Sequence, residues 1–428
     1  MYSFKSLIKK DNFPSIYYFI ICLSFLFGFF LNEDSAGGGL VDFEHEWTSI
    51  QEFKLGILSA LTSIKYESSR TPLFLILNYF NPFSDTEYGF RLSNFIFNIF
   101  IPIPFFYLLK YKHPKISSNL LISVSLLLYL SPYFRTSSYW AHQENLPIFF
   151  TLISLLYLEV YENKIIKQNI INIFGIAIIS SLAFYSDQKY IFVSFYCFVK
   201  LILLYKNDLY KLTQISFFFF ISSIPTFYLF YLWKGILPIQ SQFRIGFYPK
   251  NITLSLSIIS FYFLPFLLII KDKFGKLISK INKKDVFIFV VIFFISIFSL
   301  PDFNNAWGGG VIFKFFYVLN LFLKVEILTK ILFITTVIIL SFFSYLIIKN
   351  YFLNFLPLVI IIVLSSMVEM TYQEYFDPLL IILIFAYFRF EKDLINIMNT
   401  KNIFIYSIFF IIFLIIANIY YNYFNLVT

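Results

Sequence analysis

The sequence predicts an all-α polytopic membrane protein, and two observations support that fold class. Of the 428 residues, 59% are hydrophobic and only 13% are charged, whereas about 25% of the residues in soluble domains are charged. Apolar stretches long enough to cross about 30 Å of hydrocarbon also recur along the whole chain. This composition excludes an ordinary soluble enzyme, a nucleic-acid-binding domain and a disordered protein, because only a bilayer accepts so much apolar surface.

Thirteen apolar segments are predicted to span the bilayer. The first segment follows Lys9 and Lys10 and is interpreted as a signal anchor, because so many further spans come after it. There is neither an internal repeat nor a Gly/Ser linker, so we expect residues 1–428 to form a single integral membrane domain without a separate soluble domain. The segments are 14–31, 86–109, 117–134, 146–161, 170–186, 190–205, 212–233, 253–270, 286–300, 328–348, 352–369, 376–390 and 403–422.

The distribution of basic residues predicts the orientation. With a cytoplasmic N-terminus and alternating crossings, 20 of the 33 Lys and Arg residues fall in short cytoplasmic segments. This bias follows the positive-inside rule, and it places the C-terminus outside. We expect the membrane to be the bacterial inner (plasma) membrane. The net charge of +9 then reflects loops beside an anionic leaflet rather than a nucleic-acid partner.

The first outer loop, residues 32–85, contains an acidic motif with Asp42 and Glu44 directly after a glycine run. In an extended segment, residues i and i+2 point to the same side, so these two carboxylates are expected to converge. Converging carboxylates can share a metal ion, or one can raise the pKa of the other so that it serves as a base. The alternative is a solvated acidic loop. Residues 51–83 are expected to form helices in the outer interface.

Other polar residues bound the apolar segments, and we expect them to line one outer cavity. Ionisable groups near a membrane are costly and are usually paired or functional. Any one of these residues is more often a capping or snorkelling residue. The prediction of a cavity therefore rests on their shared position on the outer side of the membrane. The set consists of Arg91, Arg135, His142, Glu144, Asn145, Asp187, Gln188, Lys189, Trp233, Lys234, Gln242, Arg244, Lys250, Glu369, Gln373, Glu374 and Asp377.

The order of these motifs resembles the membrane-embedded glycosyltransferases of the GT-C superfamily, and most nearly the protein mannosyltransferase and aminoarabinose transferase branch. Asp42–Glu44 is similar to the acidic motif that follows the first span in that branch. Arg70–Leu73 and Phe90–Asn94 resemble the next two motifs, the former with one proline fewer. Asp187–Lys189 falls where the fifth span of the family ends in a basic residue near the donor phosphate. Gln373–Pro378 resembles a late motif of the wider group.

The resemblance implies a fold of about 13 transmembrane helices and an enzyme that uses a polyprenyl-phosphate-linked sugar. Such an enzyme transfers the sugar to a lipid, a lipid-linked glycan or a protein on the outer side of the membrane, with inversion. The expected partners are this donor, a lipid or glycan acceptor and membrane lipids, and no nucleic acid.

The resemblance also implies roles for the candidate residues. Asp42 would be the base that deprotonates the acceptor, with Glu44 as the second choice or as an orienting partner. The leaving phosphate needs cations, which Arg70, Arg135, Lys189 and Arg244 would supply. The cavity would be lined by His142, Glu144, Gln373 and Glu374. Asp42, Glu44 and His142 could also hold a divalent cation, Mg²⁺ or Mn²⁺, and the sequence leaves metal dependence open.

Two other functions stay open at this stage. A polymerase or ligase of surface polysaccharide shares the substrate class, but it favours a large late outer loop rich in Arg and His. Residues 301–326 contain no arginine. A lipid or solute transporter predicts charged or Gly/Pro-broken helices at mid-membrane, whereas most ionisable residues here lie at the ends of the predicted spans.

Overall fold

A computed structural model describes residues 15–68, 70–303, 308–391 and 395–423. Throughout these ranges the chain forms helices and no strand, with two isolated bridges, Ile245–Val368 and Gly309–Tyr372. The all-α prediction is therefore confirmed for the described residues. Within the same ranges, six helices are long and apolar enough to cross a membrane, or seven if one bent pair counts as a single span. The chain is an integral membrane protein on this criterion.

The helices that qualify as spans match predicted segments. They are Glu87–Lys112, Asn145–Glu162, Leu209–Trp233, Lys250–Ile269, Glu326–Ile348 and Thr400–Asn422. The bent pair, Ser118–Leu130 with Pro132–Tyr139, turns by 66°. Ser131 caps the second helix by accepting from the Phe134 N–H, and Pro132 occupies its first turn, so the bend is the start of a new helix.

The predicted number of thirteen spans is not reproduced within the described ranges. Several predicted spans are helices too short to cross, because about 20 residues are needed for 30 Å of hydrocarbon. Segment 190–205 becomes Ile191–Leu204, of 14 residues. Segment 376–390 holds Leu379–Ile382 and a π-helical turn, Leu383–Tyr387. The predicted outer segment 301–326 instead contains an apolar helix, Val311–Leu323.

The described residues form two compact units, the N-terminal unit (15–243) and the C-terminal unit (244–423). In the N-terminal unit the helices are α1 (Ser15–Phe30), α2 (Gly39–Leu55), α3 (Ile57–Ala60), α4 (Leu73–Tyr79), α5 (Glu87–Ile99), α6 (Pro102–Lys112), α7 (Ser118–Ser125), α8 (Pro132–Tyr139), α9 (Asn145–Glu162), α10 (Ile170–Ser186), α11 (Ile191–Leu204) and α12 (Leu209–Trp233). Short 3₁₀ turns include Pro82–Asp85, Leu126–Leu130 and Gln188–Tyr190.

The segment predicted to be the first outer loop is folded and shares a core with longer helices of the N-terminal unit. Phe43 and Phe53 of α2 are buried in one cluster with Phe90 of α5 and Trp233 of α12. The Trp233 indole N–H donates to the Leu61 carbonyl at 2.9 Å. This packing holds α2 and the segment after it against the ends of the longer helices.

In the C-terminal unit the helices are α13 (Lys250–Ile269), α14 (Phe274–Ser279), α15 (Lys283–Phe298), α16 (Val311–Leu323), α17 (Glu326–Ile348), α18 (Phe355–Ser366), α19 (Leu379–Ile382) and α20 (Thr400–Tyr423). A buried ion pair joins two of them. The carboxylate of Asp285, on the first turn of α15, lies 2.5 Å from the Lys349 ammonium after α17 and accepts from the Tyr345 hydroxyl at 2.9 Å. Lys349 also donates to the Lys280 carbonyl at 3.2 Å.

We expect the Lys349→Met variant to be destabilised by about 3 kcal/mol or more, because the Asp285 carboxylate, only 2% exposed, would lose its cation. The measurement is thermal unfolding of the purified chain in detergent. The control is Lys276→Met, which removes an exposed lysine from α14. Equal melting temperatures for the two variants would contradict the proposed contribution of this ion pair to the free energy of unfolding.

Candidate functional site

Arg70 is the centre of a buried group of charges in the N-terminal unit. Its guanidinium pairs with Glu144, lies 3.3 Å from the Asp187 carboxylate (Nε to Oδ2) and 3.7 Å from that of Glu46 (Nη1 to Oε1). The Arg70 side chain is 14% exposed, and each of these acids is 7% exposed or less. Together with His142 and Lys189, these residues are called the Arg70 cluster below.

Three separate parts of the chain bring the cluster together. Glu46 lies on α2, Glu144 directly precedes α9, and Asp187 follows α10. The segment around Arg70 is tied to the last of these parts: the Thr71 hydroxyl donates to the Phe184 carbonyl at 2.7 Å, and the Thr71 N–H donates to the Gln188 side chain at 3.1 Å. These bonds fix the position of Arg70 between the acids.

Lys189 and His142 complete the cluster at its edges. The Lys189 ammonium lies 3.0 Å from the Asp187 carboxylate, which also accepts from the Lys189 N–H at 2.9 Å. The His142 Nε2 lies 2.9 Å from the Gly39 carbonyl, so this nitrogen carries the proton. The Nδ1 of the same ring lies 3.9 Å from Glu144. At 21% exposure, Lys189 is more accessible than Arg70.

The Arg70 cluster contains two glutamic acids whose pKa values are shifted in opposite directions. Burial raises the pKa of Glu46 to about 8, although Arg70 opposes the shift, and the Glu144 charge adds to it. Burial would also raise the pKa of Glu144, but Arg70, His142 and Lys189 outweigh it and lower that pKa. At neutral pH a protonated Glu46 therefore stands beside an ionised Glu144. Acids whose pKa values are pushed apart in this way are typical of sites that move protons.

Glu46 Oε2 and Gln143 Oε1 are buried and have neither a hydrogen-bond partner nor an ion-pair partner among the described residues. They belong to one network, in which the Gln143 amide donates to the Ser68 hydroxyl at 2.6 Å and that hydroxyl lies 3.4 Å from Glu46 Oε1. Buried polar atoms are nearly always paired, by protein or by water. These two oxygens therefore have hydrogen-bonding capacity that the described residues leave unused.

The predicted convergence of Asp42 and Glu44 is wrong, because this segment is helical rather than extended. Both residues lie on α2, where side chains two positions apart differ by about 200° around the axis. Glu44 is exposed. Asp42 is half-buried and lies one turn before Glu46 on the same side of the helix.

Glu46 was not among the predicted site residues, although the sequence contains a pattern that indicates it. Phe43, Glu46, Ile50 and Phe53 follow one another at spacings of three and four residues, and all are buried on one face of α2. An acid within an apolar stripe must be paired or protonated. Asp187, by contrast, was predicted to line the outer cavity together with Lys189.

The Arg135 side chain binds α8 to neighbouring parts of the chain. Its guanidinium donates to the Glu33 carboxylate at 2.7 Å and to the carbonyls of Tyr129 and Ser24 at 3.1 and 2.9 Å, and the residue is 2% exposed. The structure thus shows Arg135 joining the ends of α1 and α8. Its role as a phosphate ligand stays a prediction.

Arg244, Gln373 and Glu374 lie in the C-terminal unit. Arg244 is exposed, and its carbonyl accepts from the Glu369 N–H at 3.1 Å. Gln373 is buried: its side-chain oxygen accepts from the Val311 N–H at 2.8 Å, and its amide donates to the Tyr262 hydroxyl at 3.3 Å. Glu374 is half-buried in the 3₁₀ turn that follows. Their place in a substrate cavity remains a prediction.

The sequence left open whether Asp42, Glu44 and His142 bind a divalent metal ion. Within the described ranges, no group of three or more His, Cys, Asp or Glu side chains is arranged to hold a metal ion.

Comparisons with the models of known protein families, with curated proteins and with solved structures found no match. The fold and the site thus define an all-helical integral membrane protein with a buried cluster of opposite charges.

We expect the stability of the wild-type chain to fall as the pH rises from about 4.5 to about 8 because of Glu46. The ordinary carboxyl pKa is 4.5 and the folded one is about 8, so between these values the folded chain holds a proton that the unfolded chain has released. The slope is at most about 1.4 kcal/mol per pH unit. Melting temperatures across this range should fall less steeply for Glu46→Gln.

The matched control for this experiment is Glu44→Gln, an exposed acid on the same helix. Its pH profile should run parallel to that of the wild type. The raised pKa of Glu46 would be contradicted if the Glu46→Gln profile were parallel as well.

Proposed function

We propose that this chain is a glycosyltransferase of the GT-C type, which moves a sugar from a polyprenyl-phosphate donor to a lipid, lipid-linked glycan or protein acceptor on the outer side of the membrane. One observation carries the proposal. Arg70, His142, Glu144 and Lys189 were selected from three different predicted outer segments, and they lie in one buried cluster. A shared site for residues so far apart in sequence is what an outward-facing active site requires.

The proposed reaction is an inverting displacement. A carboxylate takes the proton of the acceptor hydroxyl while that oxygen attacks the anomeric carbon, and the bond from this carbon to the phosphate oxygen breaks. Asp42 is the proposed base, because it lies one turn before Glu46 on the same side of α2 and is half-buried. Glu46 is the alternative, and its pKa of about 8 makes it effective only at higher pH. Glu44 points away from this face of α2.

The leaving phosphate carries negative charge that a fixed cation stabilises strongly in a site shielded from water. We assign this contact to Lys189, the more exposed cation of the cluster. Arg70 is held by the carboxylates around it and is proposed to position them. Phosphate contacts from Arg135 and Arg244 remain secondary proposals.

The proposal includes the GT-C architecture of about thirteen spans, in a bacterial inner membrane, with the N-terminus in the cytoplasm and the C-terminus outside. Contacts in the C-terminal unit support the assignment of sides. Lys280 pairs with Glu391, and Lys349 donates to the Lys280 carbonyl at 3.2 Å, so three segments that were all predicted to be cytoplasmic lie together.

Transport of a lipid or solute is the second candidate, and one observation favours it. Asp377 is buried just before α19 and the π-helical turn Leu383–Tyr387, and interrupted helices with buried acids are typical of transport sites. A polysaccharide polymerase or ligase would use the same donor class. The length of the product distinguishes it from a transferase that adds one sugar.

The test is sugar transfer by the purified full chain, with radiolabelled polyprenyl-phosphate hexoses and pentoses as donors and a membrane lipid extract as acceptor. We expect transfer by the wild type and a loss of at least about 100-fold in Asp42→Asn, the usual effect of removing a general base. The control is Glu87→Gln, which removes an exposed acid at the start of α5 and should keep full activity.

The outcomes separate the candidates. A folded Asp42→Asn variant that keeps its activity, beside a Glu46→Gln variant that loses it, would move the base to Glu46. No transfer from any donor, combined with movement of a fluorescent lipid across reconstituted vesicles, would replace the transferase with a transporter.

A further inference from the structure

An apolar cavity of about 300 Å³ lies in the C-terminal unit among α13, α15, α17 and α18. Aliphatic side chains form most of its wall, among them Ile259, Ile292 and Val359. The hydroxyls in the wall are already bonded: that of Ser260 to Ser341 at 3.0 Å, and that of Ser344 to a carbonyl of its own helix. The wall therefore suits a hydrocarbon chain rather than a polar ligand.

Tyr345 connects this cavity to charged groups. Its ring lines the cavity, and its hydroxyl donates to Asp285, the acid that pairs with Lys349. Two further lining residues, Ile288 and Ile348, lie within one helical turn of Lys284 and Lys349 respectively. The cavity therefore begins beside the lysine-bearing ends of α15 and α17.

The segment 271–285, which leads into the lysine-bearing end of α15, is strongly basic. It contains six lysines and two acids, and Lys283 and Lys284 at the start of α15 are exposed. The positive-inside rule places the segment at the cytoplasmic surface. Anionic lipids of that leaflet attract nearby lysines. An apolar cavity next to exposed lysines matches a lipid with a hydrocarbon tail and a negative head.

We propose that the cavity together with Lys283 and Lys284 forms a binding site for an anionic phospholipid of the cytoplasmic leaflet. One acyl chain occupies the cavity, and the phosphate lies at the two lysines. This site is independent of the sugar transfer proposed for the Arg70 cluster. It assigns a specific lipid class and position to a part of the chain that the proposed reaction does not use.

The experiment counts lipids bound to the delipidated full chain by native mass spectrometry during titration with dioleoylphosphatidylglycerol or dioleoylphosphatidylcholine. We expect the wild type to bind the anionic lipid at least about fivefold more tightly. The double variant Lys283→Gln/Lys284→Gln should lose this preference and bind both lipids equally. Its control, Lys164→Gln/Lys167→Gln, removes two exposed lysines from the N-terminal unit and should keep the preference.

A second pair of variants tests the cavity separately from the charge. Val359→Trp places an indole in the cavity from its exposed side and should weaken binding of the anionic lipid at least about fivefold. Val363→Trp adds the same side chain one turn along α18, at an exposed position outside the cavity lining, and should bind as the wild type does. The proposal is overturned by equal affinity of the wild type for the two lipids, by an unchanged preference in the Lys283/Lys284 variant, or by equal binding in the two tryptophan variants.

Discussion

The burial of the Arg70 guanidinium is the constraint on which the rest of the candidate site depends. An unpaired charge taken out of water costs several kcal/mol, so a buried arginine must be met by carboxylates. Here Glu144, before α9, and Asp187, after α10, supply the negative charges, and Glu46 of α2 lies 3.7 Å from the guanidinium, so all three parts of the chain reach the same point. The bonds from Thr71 to Phe184 and Gln188 hold this meeting point together.

The same constraint produces the chemistry of the site. Arg70 contacts Glu144 more closely than Glu46, and Glu46 also experiences the negative charge of Glu144. The result is one ionised and one protonated glutamic acid in a small volume, beside buried oxygens without a hydrogen-bond partner among the described residues. Such a group of side chains can hold a proton and can stabilise an anion at Lys189. The sugar transfer proposed above requires both.

Much of this arrangement was predictable from the sequence. Composition alone predicted an all-helical membrane protein, and the position of polar residues at span ends predicted that His142, Glu144 and Lys189 share an outer cavity. Arg70 was added only as a candidate ligand of the donor phosphate, on the resemblance. The number of spans was not predictable in the same way, because an apolar run indicates burial and does not show where a helix breaks. The break at Pro132 and the short turn Leu383–Tyr387 illustrate this limit.

The geometry of the acidic motif also required the structure. The residues after Gly37 and Gly38 were expected to be extended, but the two glycines adopt positive φ angles and α2 begins directly after them. Asp34 accepts from the N–H groups of Gly37 and Gly39 at 2.8 Å and stabilises this start. In a helix, Asp42 lies on the same side as Glu46 and not on the side of Glu44. The apolar stripe of α2 in the sequence could have indicated this helical arrangement.

The most direct test of the central claim is photo-crosslinking of the purified chain with a polyprenyl phosphate that carries a diazirine next to the phosphate. Peptides that contain Arg70 or Lys189 should be modified, and an excess of unmodified polyprenyl phosphate should prevent it. Modification confined to the lysine-rich segment 271–284, with the peptides of the Arg70 cluster unlabelled, would contradict the account.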